Sequence, residues 1–259
     1  MQRLRTSFAL ASALLLSLLA SGQEEQIRRY EANAKQLFEF EVKKTKDPIF
    51  PIRLRNEGYV EGSATFAIYV DQTGKLRDYL LLEATKTAFA KEVERVLSDW
   101  DYSVPLVDGE PSAIVSTVKV NFERSGLVVY ESPGLGLLNP WNRMIEGLEY
   151  RVYALWELDR IPEPIEIVKP DFHVELLEDR DLVTAVFDFY IDQEGRVRIP
   201  TLREADDKVD ERLLVIAQES LLQWRFNAPT VNGKRVVAKA AQPFRFRKGQ
   251  TTDVAPASN

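Results

Sequence analysis

The chain reads as an α+β protein: two tandem small antiparallel sheets, each covered by one helix, in a repeated β-β-β-α-β order. Three observations predict it. Tyr69–Lys75 reads YVDQTGK and Tyr190–Arg196 reads YIDQEGR, an internal repeat at an offset of 121 residues. The residues before each heptapeptide alternate between apolar and mixed positions, the period of a half-buried strand. After each comes an amphipathic helical stretch ending in tryptophan, and then a further alternating run.

Met1–Gly22 reads as a secretory signal. Arg3 and Arg5 precede an apolar run, Phe8–Leu19, and Ala20-Ser21-Gly22 supplies small residues before a cut at Gln23. A run of about a dozen residues falls short of the ~20 that a spanning helix needs. The expected location is therefore periplasmic or secreted. An uncut, inner-membrane-anchored chain is the alternative, and a mature N-terminus at Gln23 separates the two. There is no cysteine, so disulfides, thiolate metal sites and thiol nucleophiles are excluded. Cutting at Gln23 removes two arginines and no acid, moving the formal charge from −6 to −8. That balance argues against nucleic acid as a partner.

A lead segment, residues 23–36, precedes the first repeat at 37–123. In it, Phe38–Lys44 reads as a short leading strand before Pro48. Ala64–Val70 forms a strand, Asp71-Gln72-Thr73-Gly74 a hairpin turn and Lys75–Leu82 a second strand. Aspartate accepts backbone N–H bonds at the first position of such turns, and glycine supplies positive φ. Thr87 is placed to cap a helix whose face is Phe89, Val93, Val96, Leu97 and Trp100. A last strand spans Ala113–Phe122. Residues 124–149 read as a linker, since Ser125–Asn142 is rich in Gly and Pro and keeps no period.

The second repeat, 150–248, follows the same order. Val152–Leu158 is its leading strand, Ala185–Ile191 and Arg196–Leu202 flank the second turn, and Asp206 or Asp207 starts the helix. Val209, Leu213, Ala217, Leu221 and Trp224 form the helix face, and Val237–Phe246 is the last strand. The helix exits match as well, Pro105…Asp108-Gly109 with Pro229…Asn232-Gly233. Trp100 and Trp224 read as core, and Trp141 and Trp156 as seals between the units. Residues 249–259 read as a disordered polar tail.

These motifs resemble the C-terminal domain of the TonB energy-transducer family. The resemblance rests on Phe50-Pro51, Val60-Glu61-Gly62 and Asp71-Gln72-Thr73-Gly74 in the first repeat. In the second it rests on Trp224-Arg225-Phe226-Asn227-Ala228-Pro229, Asn232-Gly233-Lys234 and Pro243-Phe244-Arg245-Phe246. It covers Pro48–Glu123 and Pro162–Arg247, without the family's Pro-rich spacer. The resemblance implies a non-enzymatic, cell-envelope protein–protein binding module linked to transport across the outer membrane. Its last strand would be an open sheet edge that accepts an extended segment of an outer-membrane transporter by strand addition. The edge residues so implied are Ala113, Val115, Thr117, Lys119 and Asn121 in the first repeat, and Val237, Lys239 and Ala241 in the second. Pro243 lacks an N–H where the first repeat has Lys119, so the first edge is the expected acceptor. A membrane-anchored transducer, or a structural module whose leading strands cover both edges, are the alternatives.

No catalytic constellation, metal site or cofactor is expected. His173 is the sole histidine and has no Ser or Asp partner in a recognisable motif. The acids of Asp206–Arg212 fall at a helix start, where the helix dipole favours them. Asp71 and Asp192 read as turn residues rather than paired general acids, and Gly134-Leu-Gly136 is only a fragment of a dinucleotide loop.

Overall fold

A computed structural model describes residues 38–123, 126–133, 147–248 and 253–254, with backbone only for 126–133 and 253–254. The signal and most of the lead segment lie outside them, as does Trp141. The class is α+β. In the first unit the main strands are β1 (Glu61–Val70), β2 (Leu76–Ala84), β3 (Ile114–Glu123) and β4 (Gly126–Pro133). In the second they are β5 (Leu182–Ile191), β6 (Val197–Ala205), β7 (Ala238–Arg247) and a two-residue β8 (Asp253–Val254). The helices are the short α1 (Ile52–Asn56), then α2 (Thr87–Leu97) and α3 (Glu211–Leu222). Sheet one runs Tyr150–Arg151, β2, β1, β3, β4; sheet two runs Tyr153–Ala154, β7, β5, β6, with β8 also on β7.

Alternation decides what each face buries. In β1, Ala64, Phe66, Ile68 and Val70 face α2 and pack with Phe89, Val93, Val96 and Leu97. In β5, Val183, Ala185, Phe187, Phe189 and Ile191 pack with Leu213, Ala217 and Leu221 of α3. The opposite faces of the two sheets meet. There Ala67, Leu80, Leu82 and Val115 of unit one bury against Tyr190, Ile199 and Val237 of unit two. The result is four layers: helix, sheet, sheet, helix. The segment Tyr150–Ala154 fastens the pair, since Tyr150–Arg151 extends β2 antiparallel and Tyr153–Ala154 extends β7 parallel. The Arg198 guanidinium crosses the junction to the Asp78 carboxylate and to the carbonyl of Tyr79.

The repeat runs deeper than the heptapeptides. Trp100 donates its indole N–H to the Lys46 carbonyl at 2.7 Å, and Trp224 to the Val168 carbonyl at 2.8 Å. Phe50 stacks edge-on against Phe122, and Phe172 against Phe246. Pro48-x-Phe50-x-Ile52-x-Leu54 therefore matches Pro170-x-Phe172-x-Val174-x-Leu176. This corrects the leading strand of the second unit. Val42–Lys43 pairs with Asp101–Tyr102, and its counterpart is Pro164–Glu166, which pairs with Arg225–Phe226. The stretch Val152–Leu158 instead holds the junction pairing and a 3₁₀ turn at Leu155–Glu157. Trp156 in that turn is 72% exposed and seals nothing between the units.

Three local expectations also change. Lys86, not Thr87, precedes α2; Thr87 is its first residue and donates to Glu149 at 2.9 Å. α3 starts later than Asp206 or Asp207: Asp210 is its cap and accepts the Arg212 N–H at 3.0 Å. Asp206 accepts the Thr184 N–H at 2.7 Å, the role that Thr85 fills toward Ser63 in unit one. Finally, Gly126–Pro133 is a strand within the expected linker.

Candidate functional site

The two repeated turns are hairpin chemistry. The Asp71 carboxylate accepts the N–H groups of Thr73 and Lys75 and the Thr73 hydroxyl, at 2.6 to 3.0 Å. Asp192 accepts the N–H groups of Glu194 and Arg196 at 3.0 and 2.8 Å. Burial pushes the Asp71 carboxyl up, but the hydrogen bonds from Thr73, Lys75 and Arg77 outweigh it and hold it at about 2. A carboxylate committed to three donors in its own turn is poorly placed to shuttle protons. His173 is exposed at the start of the 3₁₀ turn Val174–Leu177. Among the described residues no group of three or more His, Asp or Glu could hold a metal ion.

The predicted edge residues lie together, on the faces of β3 and β7 turned away from the helices. Val115 packs between the sheets and Thr117 is fully buried, while Lys119 and Asn121 are half-buried. Ala113 and Val237 are buried just before their strands. Lys239 pairs with Asp188 at 3.3 Å, and Ala241 is buried.

The edges themselves differ from expectation. β3 is not an open edge, because β4 pairs with it along all of Ser116–Glu123. Nor do the leading strands cover it: Phe38–Glu39 pairs with Leu106–Val107 instead. On β7 strand pairing at the outer edge is confined, among the described residues, to Ala238–Lys239 and Phe244–Arg245. Two equivalent strands thus carry unequal cover, eight residues against two short pairings. Leu127–Tyr130, rich in branched and aromatic residues, was the available signal for β4. Its flanking Gly126 and Pro133 concealed it, since both residues usually mark loops.

A cleft of about 550 Å³ opens where the units meet, lined by Asp78, Glu94, Tyr150, Asp192, Arg196 and Arg198. Burial pushes the Glu94 carboxyl upward, and burial, then the Glu94 and Asp192 charges, push Tyr150 up to about 12. The cations and most of the acids here are engaged with each other: Arg196 pairs with Asp192 and Glu194, and Arg198 with Asp78. The cleft is a charged seam of the interface. No helix among the described residues is long and apolar enough to cross a membrane. Comparison with family models, curated proteins and solved structures returns no match.

Proposed function

We propose that the chain is a non-enzymatic binding module of the cell envelope that takes up an extended segment of an envelope protein by strand addition along β7. The observation that carries this reading is the inequality of the two repeated edges. The chain closes β3 with its own β4 but covers β7 with only two two-residue pairings. A sheet edge with unpaired length is a template for another strand. Pro243 fits the same view, because proline is tolerated where its missing N–H would face away from the sheet. The preference expected for the first repeat is therefore reversed. The signal-like N-terminus supports the envelope, and the ordered TonB-like motifs support an outer-membrane transporter segment as the partner.

Because the chain has no cysteine, a single thiol can carry a short photo-crosslinker to either edge. With peptides from the periplasm-facing ends of outer-membrane transporters, Ala241→Cys is expected to form adducts and Asn121→Cys is not. Adducts confined to Asn121→Cys, or none at either position, overturn the proposal.

A further inference from the structure

β8 is the second-unit counterpart of β4. The shared register shows it: Val120 lies opposite Ala64 of β1, and Phe244 lies opposite Ala185 of β5, which the repeat offset aligns with Ala64. On the outer side Val129 lies opposite Val120, and Val254 lies opposite Phe244. Both added strands run antiparallel to the strand they cover. The two units therefore bind a downstream piece of their own chain at the same place, in the same direction, with valine at the same step.

The difference is extent. β4 follows β3 through the two residues Arg124-Ser125 and covers Ser116–Glu123. The matching window on β7 is Ala240–Arg247, and β8 occupies only Phe244–Arg245 of it. Tyr153–Ala154 sits just outside that window, on Ala238–Lys239, where the interface between units holds it. A two-residue strand contributes few ladder bonds, and its advantage is being tethered a few residues away, at an effective concentration of order millimolar. A longer free strand offers more backbone bonds across the same window.

Resting on the proposed strand-accepting role of β7, we infer that Asp253–Val254 is a displaceable cis-strand. It competes for the β7 edge until an external antiparallel segment with a branched aliphatic residue opposite Phe244 replaces it. β4 shows what such a segment looks like in this fold: Leu127 opposite Phe122, and Val129 opposite Val120. The counterparts on β7 are Phe246 and Phe244.

The test uses the full chain and a fluorescent peptide with the sequence of Gly126–Pro133. Val254→Pro removes an N–H and disfavours the β8 pairing without touching β7. The variant is expected to bind the peptide about tenfold more tightly than the wild type, with slowed hydrogen exchange along Ala240–Arg247. Equal binding by both chains, with that protection pattern, leaves the edge as an acceptor and overturns the cis-strand. Binding by neither chain, or protection elsewhere, overturns the strand-accepting edge and the inference together.

Discussion

Gly195 and Gly233 both sit at positive φ, 80° and 73°, yet they are constrained differently. A Cβ on Gly195 would stand 2.0 Å from the Phe226 carbonyl oxygen, while one on Gly233 would meet nothing within 4 Å. Gly195 also receives the Phe226 N–H on its own carbonyl, so the turn is clamped against the strand that leaves α3. Gly195→Ala is therefore expected to cost about 3 kcal/mol or more, combining left-handed strain with a collision against backbone. Gly233→Ala carries the backbone strain alone, about 1 kcal/mol. Urea unfolding of the two variants checks the ordering. The need for positive φ at both positions was legible in Asp-x-x-Gly and Asn-Gly. The close approach at Gly195 was not, because it depends on a residue 31 positions away in the chain.

At the scale of elements, the strand and helix periods were readable because each buries one face against a partner built by the same repeat. The ends were harder. α2 and α3 occupy equivalent places, yet only α3 has a side-chain cap, Asp210. Asp210→Ala is expected to lower stability by about 1 kcal/mol, and Thr87→Ala, which removes no cap, to stay within about 0.5 kcal/mol. Denaturation midpoints at equal slope decide it. The misplaced leading strand has a similar cause. Alternation in Val152–Leu158 resembles a strand, whereas the matched Pro-x-Phe pattern identifies the segment by what it packs on. A bulge offers a second case: Ile199 holds a φ of 47°, rare for a β-branched residue, and its side chain joins the cluster between the sheets. Its neighbours Val197 and Leu202 face the α3 core instead. Nothing in Arg198-Ile199-Pro200 announces a left-handed isoleucine, since the strain is held by the other unit. β8 lies beyond sequence reading for another reason, because two residues carry no period.

Across the whole molecule, the interface between units is not the self-complementary contact of a two-fold dimer. Ala67, Leu80, Leu82 and Val115 are buried in it, and the repeat puts Asp188, Thr201, Arg203 and Lys239 at the same positions of unit two. There they form an ion-paired face, with Asp188 taking both Arg203 and Lys239. Placing the unit-two residue into unit one, Leu82→Arg, would bury an unpaired charge and is expected to weaken the contact by about 4 kcal/mol. Calorimetry should then show two unfolding transitions in place of one; a single transition at an unshifted temperature would refute the coupling. The same inequality has a consequence in time. A chain made from its N-terminus completes unit one's sheet before Tyr190, Ile199 and Val237 exist to cover it. At roughly 5–20 residues per second, the ~120 residues from Val115 to Val237 take on the order of ten seconds. Through that interval the apolar face belongs to the half that must wait, and the charged one to the half that arrives last. A nascent chain stalled between the units would be the sticky species, and chaperone contact should fall when unit two emerges.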